Sequence, residues 1–239
     1  MNSRDIPIEV FADGADISEM VRVYRSGAAK GFTTNPNFLF SAGVTDYERF
    51  AKDVIKAIPD RSLSFEVLSD DLPAMEREAR KIAAWSPNIF VKIPIINTKG
   101  ESTCPLIKRL SHEGMKLNVT VVFMFEQAKM AAESLSPDID SIISVFAGRI
   151  AATGVDPMPM IAKAAELLKS IPLPKTRLLW AATREVFNII QAVECGCKII
   201  TMGCDLIDAL SSLGTPLEES SRKMVKMFYD STQKAGLKL

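Results

Sequence analysis

The sequence predicts an α/β protein: one closed (β/α)8 barrel domain over residues 1–239, with an additional C-terminal helix. Three observations lead there. Short β-branched runs recur eight times, each followed by a segment of helical period. Strict strand–helix alternation calls for parallel strands joined by right-handed crossovers. Eight such units fit a chain of 239 residues, since these barrels occupy roughly 200–250. The rival is an open doubly wound sheet, which places a Gly-rich phosphate loop after its first strand. Here that position reads Ala12-Asp13-Gly14-Ala15-Asp16, neither a dinucleotide fingerprint nor a P-loop. No repeat, linker or low-complexity stretch divides the chain.

The expected strands cover residues 8–12, 31–33, 63–67, 89–93, 117–123, 142–146, 178–182 and 198–202. Ile17, Met20, Val21 and Tyr24 share one face of the first helix, which starts at Asp16…Glu19. Phe50, Ala51, Val54, Ile55 and Ile58 share another, behind a Thr45…Glu48 capping-box pattern. Leu72, Met75, Ala79 and Ile82 follow, with Pro73 tolerated in the first turn. Pro105 opens the fourth helix around Ile107 and Leu110, and a short fifth covers 126–133. Met160, Ile161, Ala164, Leu167 and Leu168 mark the sixth. Val186, Ile189, Ile190 and Val193 form the seventh, stopped by Gly196. Leu206, Ile207, Leu210 and Leu213 form the eighth, stopped by Gly214. Pro216 opens a last helix over about 215–233.

Composition removes several function classes. Lys plus Arg number 29 and Asp plus Glu number 29, a zero balance. Proteins that hold nucleic acid or an anionic membrane need a large basic surplus, so neither partner is expected. Small anionic ligands need only a few local cations. The apolar stretches are too short to span a bilayer. Met1-Asn2-Ser3-Arg4-Asp5 is not the start of an export signal, so a cytoplasmic location is expected. The four cysteines read as reduced thiols. Cys195, Cys197 and Cys204 lie far in sequence from His112, the only histidine, so they read as buried thiols around a helix end and a strand rather than as a zinc site. No metal or cofactor is expected.

A barrel of this kind carries its chemistry at the carboxyl ends of its strands. The polar residues that fall there are Asp13, then Thr33 and Asn35, then Glu66 and Lys92, then Asn118 and Thr120, then Arg149 and Arg184. Alternation turns Ile89, Val91 and Ile93 toward the helices and Phe90 and Lys92 toward the axis. A lysine there is costly to bury charged. Burial and neighbouring cations favour the neutral amine, a nucleophile toward carbonyls. The alternative is a lysine paired with a buried carboxylate such as Glu66 or Asp13. Glu66 then reads as a proton shuttle or as that partner, and Asp13 as a general base or as a turn residue. Asn35-Pro36-Asn37 reads first as a turn. Arg149 and Arg184 read as a phosphate grip or as surface ion-pair arginines. His112 reads as an exposed residue near a helix end.

Four motifs in order, Gly31-Phe32-Thr33-Thr34-Asn35-Pro36, Val91-Lys92-Ile93-Pro94, Asn118-Val119-Thr120 and Ser144-Val145-Phe146-Ala147-Gly148-Arg149-Ile150, resemble those of transaldolases. The resemblance implies a Schiff-base barrel that moves a dihydroxyacetone unit from a ketose phosphate to an aldose phosphate, without metal or cofactor. It implies that Lys92 forms the imine and that Asp13 takes the proton of the C4 hydroxyl. Glu66 and Thr120 would position a shuttling water. Thr33, Asn35 and Asn118 would orient the sugar and enamine, with Ser144 and Phe146 on the same wall. Arg149 and Arg184 would bind phosphate. The implied reaction joins sedoheptulose 7-phosphate and glyceraldehyde 3-phosphate in the pentose phosphate pathway, in a homo-oligomeric enzyme.

The related fructose-6-phosphate aldolases resemble this chain less at two positions: they carry Tyr where Phe146 stands and tend to carry Gln where Glu66 stands. Many family members end the seventh strand Ala-Ala-Ser-x-Arg; here Ala182 falls at the serine position, followed by Thr183 and Arg184. That leaves the anionic tail of the substrate open, a sulfonate included. Free aldol cleavage and a non-catalytic sugar-phosphate-binding barrel are the alternatives. The set Asp13, Glu66 and Lys92 speaks against the latter, because a binding module needs no buried nucleophile.

Overall fold

Short acidic and amide side chains decide where the early strands give way to helices. Asp16 accepts hydrogen bonds from the amides of Ser18 and Glu19, Asn35 from those of Asn37 and Phe38, Asp46 from that of Arg49, and Asp71 from that of Ala74. Each satisfies amides that the first helical turn leaves without partners. The computed structural model describes residues 6–238. Residues 1–5, on which the expectation about an export signal rests, lie outside the described residues.

The order is β1 (Glu9–Asp13), α1 (Ile17–Ser26), β2 (Gly31–Thr33), α2 (Pro36–Ser41), α3 (Tyr47–Ala57), β3 (Ser62–Glu66), α4 (Leu72–Ala83), β4 (Ile89–Pro94), α5 (Cys104–His112) and β5 (Leu117–Val122). Then come α6 (Phe125–Ser134), β6 (Ser141–Val145), α7 (Ala147–Ala151), α8 (Met158–Ser170), β7 (Thr176–Trp180), α9 (Asn188–Glu194), β8 (Ile199–Met202), α10 (Cys204–Ala209) with a 3-10 turn at Leu210–Ser212, and α11 (Leu217–Ala235). The eight strands close into a barrel in sequence order, every pairing parallel, with β1 on β8. This is the single-domain (β/α)8 fold that the alternation predicts. No helix is long and apolar enough to cross a membrane among the described residues.

Three expectations are corrected. Asn35-Pro36-Asn37 is the start of a helix rather than a turn: Asn35 caps α2, and Pro36 occupies the first turn, where no amide is needed. The cap of α3 is Asp46, not Thr45, because the Asp46 carboxylate is the oxygen that reaches the Arg49 amide. The last helix runs over Leu217–Ala235, two residues later at each end than the pattern suggests, and closes at Gly236 in a left-handed conformation (φ 63°).

Side-chain alternation splits the molecule into two apolar regions. Outward-facing residues such as Val91, Ile93, Val119 and Trp180 pack against the helices. Inward-facing Phe11, Phe90, Ile142, Leu179 and Ile199 fill the lower half of the barrel. Gly31 faces the axis, and a methyl group there would lie 2.6–2.8 Å from three atoms of the Phe11 ring. Phe11 is buried, so the missing side chain in β2 is the space that the ring of β1 occupies. Among the described residues, α11 alone of the long helices buries no side chain: Leu217, Met224, Val225 and Phe228 are exposed.

The Gly31–Phe11 contact yields a stability expectation. Gly31→Ala forces a methyl into a filled interior and lowers unfolding free energy by about 1–3 kcal/mol, the usual range for overpacking. Urea unfolding measures it; an unchanged midpoint would mean that Phe11 has somewhere else to go.

Candidate active site

Above the apolar floor, the next inward-facing layer is polar. It holds Asp13 of β1, Thr33 of β2, Glu66 of β3, Lys92 of β4, Asn118 of β5, Ser144 of β6 and Thr201 of β8. All line one pocket of about 550 Å³ at the carboxyl ends of the strands. The register sets Asp13 beside Thr33, Glu66 beside Lys92 and Lys92 beside Asn118. Every residue expected from the sequence to act in catalysis or substrate binding lines this pocket: Asn35, Thr120, Phe146, Arg149 and Arg184 complete the set.

Lys92 is buried, as is Glu66. The lysine Nζ lies 3.0 Å from Glu66 Oε2 and donates to the carbonyl of Thr34 at 2.8 Å. The carboxylate pairing posed as an alternative is therefore present, and it stands inside the pocket rather than in a sealed core. Asp13 accepts a hydrogen bond from Thr33 Oγ1 at 2.8 Å. Thr33 Oγ1 is also 2.6 Å from Thr201 Oγ1. With Thr33 donating to the carboxylate, Thr201 is the donor to Thr33, a two-hydroxyl relay behind Asp13. Burial pushes the Asp13 carboxyl above the usual carboxylate range, while the Lys92 ammonium and the Thr33 hydroxyl pull the other way.

On the opposite wall, Ser144 Oγ donates to Asn118 Oδ1 at 2.7 Å, and Asn118 Nδ2 donates to Ser64 Oγ at 3.2 Å. The Asn118 amide is thereby fixed in orientation. Thr120 is buried, and its hydroxyl makes no hydrogen bond among the described residues. The backbone beside it is strained. Val121 has φ 61°, where the β5–β6 register shifts between Val119 and Val122. A β-branched residue in the left-handed region is a rare conformation that costs on the order of 1–3 kcal/mol, and such strain gathers at functional sites.

A second strained residue, Ala182 (φ 59°), follows β7. Its carbonyl presses on Gly148, where a Cβ would come within 1.8 Å of the Ala182 oxygen. Only glycine permits this approach. The same virtual Cβ would lie 3.2 Å from Cγ of Arg184, so the Arg184 stem crosses over the β6–α7 turn that carries Arg149. Both arginines are exposed at the pocket rim, and neither joins an ion pair among the described residues. The ion-pair reading of these two residues is thus not realised. Between Ala182 and Arg184, the Thr183 hydroxyl donates to the Thr201 carbonyl at 2.7 Å.

The profile of the Transaldolase/Fructose-6-phosphate aldolase family matches residues 10–239. The chain belongs to that family. A probable transaldolase of Dehalococcoides mccartyi is 29% identical over 227 residues, 95% of this chain and 100% of the relative. A probable transaldolase 2 of Listeria monocytogenes is 33% identical over 205 residues, covering 86% and 89%. Among solved structures, 3-hexulose-6-phosphate synthase of Salmonella typhimurium superposes with a TM-score of 0.58 at 11% identity, over 86% of this chain and 97% of that one. KGPDC of Streptococcus mutans does so at 0.56 and 10% identity, over 84% and 90%. At such low identity the likeness speaks to the barrel alone.

Sequence reading missed Thr201 and Ser64. Alternation from Ile199 and Glu66 puts both on the axis side, so the signal was available. Tyr47 was missed for a different reason: it sits on a helix and reaches the site through the backbone of Glu66. His112 is exposed, as expected. Cys195 and Cys197 are buried thiols, and burial pushes Cys195 up to about 11; Cys204, expected with them, is only half-buried at the start of α10.

The environment of Asp13 makes a titration expectation. The Thr33 bond favours the charged carboxylate, so Thr33→Val raises the Asp13 pKa further. Carboxyl 13C chemical shifts followed with pH read this directly. A wild-type Asp13 titrating in the ordinary range, or a downward shift in the variant, contradicts the assignment.

Proposed function

We propose that the protein is a transaldolase that carries a dihydroxyacetone unit on Lys92 between phosphorylated sugars. The observation that carries the reading is a buried lysine at the top of an apolar barrel interior. It is paired with Glu66, and a raised-pKa Asp13 lies across the same pocket. A lysine amine attacks the ketose C2 carbonyl and, after loss of water, gives an iminium. That iminium accepts the electron pair of the C3–C4 bond, so cleavage yields a neutral enamine rather than a free carbanion. A base at Asp13 takes the proton of the C4 hydroxyl as the aldose leaves, and returns it when the acceptor aldehyde adds. Glu66 and the free Thr120 hydroxyl are suited to hold the water that exchanges protons at C2. The fixed Asn118 amide and Asn35 are suited to bind sugar hydroxyls. Arg149 and Arg184, free of ion pairs at the rim, are suited to an anionic tail.

Transfer rather than release is favoured by Phe146, which lines the pocket as a phenyl ring unable to order a water for enamine protonation. We also propose that the chain forms homo-oligomers through α11. Its exposed Leu217, Met224, Val225 and Phe228 support this.

The decisive experiment follows glyceraldehyde 3-phosphate production from fructose 6-phosphate with and without erythrose 4-phosphate, alongside borohydride reduction and mass spectrometry. Production that depends on the acceptor, a three-carbon adduct on Lys92 and inactivity of Lys92→Ala are expected. Equal production without acceptor identifies an aldolase instead; the absence of an adduct, with activity surviving Lys92→Ala, removes the Schiff base.

For the assembly, sedimentation velocity is the readout: Phe228→Asp shifts the protein to smaller species. A wild-type chain that sediments as a monomer overturns the proposed oligomer.

A further inference from the structure

The carboxylate beside Lys92 stands at the end of a strand that has lost its neighbour. β2 stops at Thr33, and the last ladder contacts from it to β3 are Thr33 opposite Ser64 and the Thr34 amide donating to the Ser64 carbonyl at 3.3 Å. The chain then turns away into α2, which begins at Pro36. Glu66 lies two residues further along β3, so its amide and carbonyl face the side that β2 has vacated. On the other side β4 continues: Glu66 is in register with Lys92, and the Val67 amide donates to the Lys92 carbonyl at 3.1 Å.

The phenol of Tyr47 fills that gap. Its oxygen accepts from the Glu66 amide at 2.8 Å and donates to the Glu66 carbonyl at 3.1 Å. One hydroxyl thus makes both bonds that a neighbouring strand would make to this residue. Its place is fixed from behind. The Tyr47 ring meets Phe65 and Trp85 edge-on, with centroids 6.1 and 5.9 Å away, and those two rings are themselves 6.0 Å apart. Desolvation holds the phenol pKa well above its ordinary value, so the donor keeps its proton at any working pH.

We propose that Tyr47 is a positioning residue, fixing the strand end from which Glu66 reaches Lys92. Its kinetic readout rests on the Schiff-base reading above; its structural readout does not. A side chain follows the φ and ψ of its own residue. Without the phenol, the Glu66 amide and carbonyl lack protein partners on one side, the strand end is free to swivel, and the carboxylate moves relative to the lysine. Among the described residues, Asn118 of β5, Ser144 of β6, Arg149 of α7 and Arg184 after β7 make no hydrogen bond to Tyr47 or Glu66, so the effect falls on the chemical step rather than on their contacts with substrate.

The test uses Tyr47→Phe in the full chain, which keeps the ring stack and removes one oxygen. Formation of the borohydride-trapped adduct from fructose 6-phosphate slows by roughly 10- to 100-fold, the scale of loss that small misplacements of a reacting group produce. KM stays within about twofold. In a Glu66→Gln background the same substitution adds little, because its effect passes through the carboxylate. Trp85→Phe, which loosens the stack but keeps the hydroxyl, slows adduct formation less. Wild-type adduct kinetics in Y47F, additive losses in the double variant, or an equal loss in W85F overturns the proposal. Hydrogen exchange at the Glu66 amide supplies the structural readout: slow in the wild type and at least roughly tenfold faster in Y47F, as for an amide whose local protection has gone. Fast exchange in the wild type overturns the proposal even where Y47F does not fold. Failure of the wild type to form any adduct counts against the Schiff base alone, and the exchange measurement still decides on Tyr47.

Discussion

A lysine inside a barrel sets the terms for everything around it. The Lys92 ammonium rises beside the inner wall above Phe11, Phe90 and Ile142, where an isolated charge would be prohibitive. The structure meets that constraint with one carboxylate at 3.0 Å and one backbone carbonyl at 2.8 Å. Those two partners come from β3 and from the turn after β2, so burying the charge also ties the ends of two neighbouring strands to β4. The carboxylate must stay where it is, which requires its strand end to be held. The carbonyl must point inward, which requires β2 to end at Thr33. The early departure of β2 into α2, capped by Asn35, then follows from the same pair.

The two strained residues have a common consequence. Val121 and Ala182 adopt left-handed conformations at the ends of β5 and β7. They flank β6, whose own end continues into the short α7 helix through Phe146 and Gly148. In both cases the strand path changes just where side chains enter the pocket: Thr120 precedes one bend, and Thr183 and Arg184 follow the other. Gly148 makes the second bend possible by yielding its side-chain volume to a carbonyl oxygen. Left-handed non-glycine backbone among the described residues is therefore confined to one sector of the rim, while the sector holding Asp13, Glu66 and Lys92 keeps regular parallel ladder up to the point where β2 departs.

The barrel was legible because its determinants are local and periodic. All eight strands lie within two residues of the runs that announce them, and Gly31–Thr33 coincides with its run. Alternation alone placed Lys92 inward and Val91 and Ile93 outward, as the two apolar clusters record. The resemblance carried the site further, and the side chains it implies for catalysis and substrate binding all line one pocket. What stayed hidden depends on distance in sequence. Asn35-Pro36 has the composition of a turn, and only its contact with the following amides makes it a helix cap. Five residues of α7 are too few for a period to emerge. Tyr47 looks like an ordinary aromatic of an amphipathic helix, and its partner is 19 positions away. Whether an arginine pairs with a surface carboxylate is likewise decided by tertiary packing, and neither Arg149 nor Arg184 forms an ion pair among the described residues.

The apolar floor has a kinetic meaning. Phe11, Phe90, Ile142, Leu179 and Ile199 stopper the amino-terminal end of the barrel, and the ring of Phe11 even claims the space over Gly31. Among the described residues the pocket opens at the carboxyl ends of the strands, like a flask with one neck. A group-transfer reaction run in such a vessel would have its sequence imposed by plumbing: the leaving fragment clears the neck before the incoming one descends, and the retained fragment waits above the apolar floor.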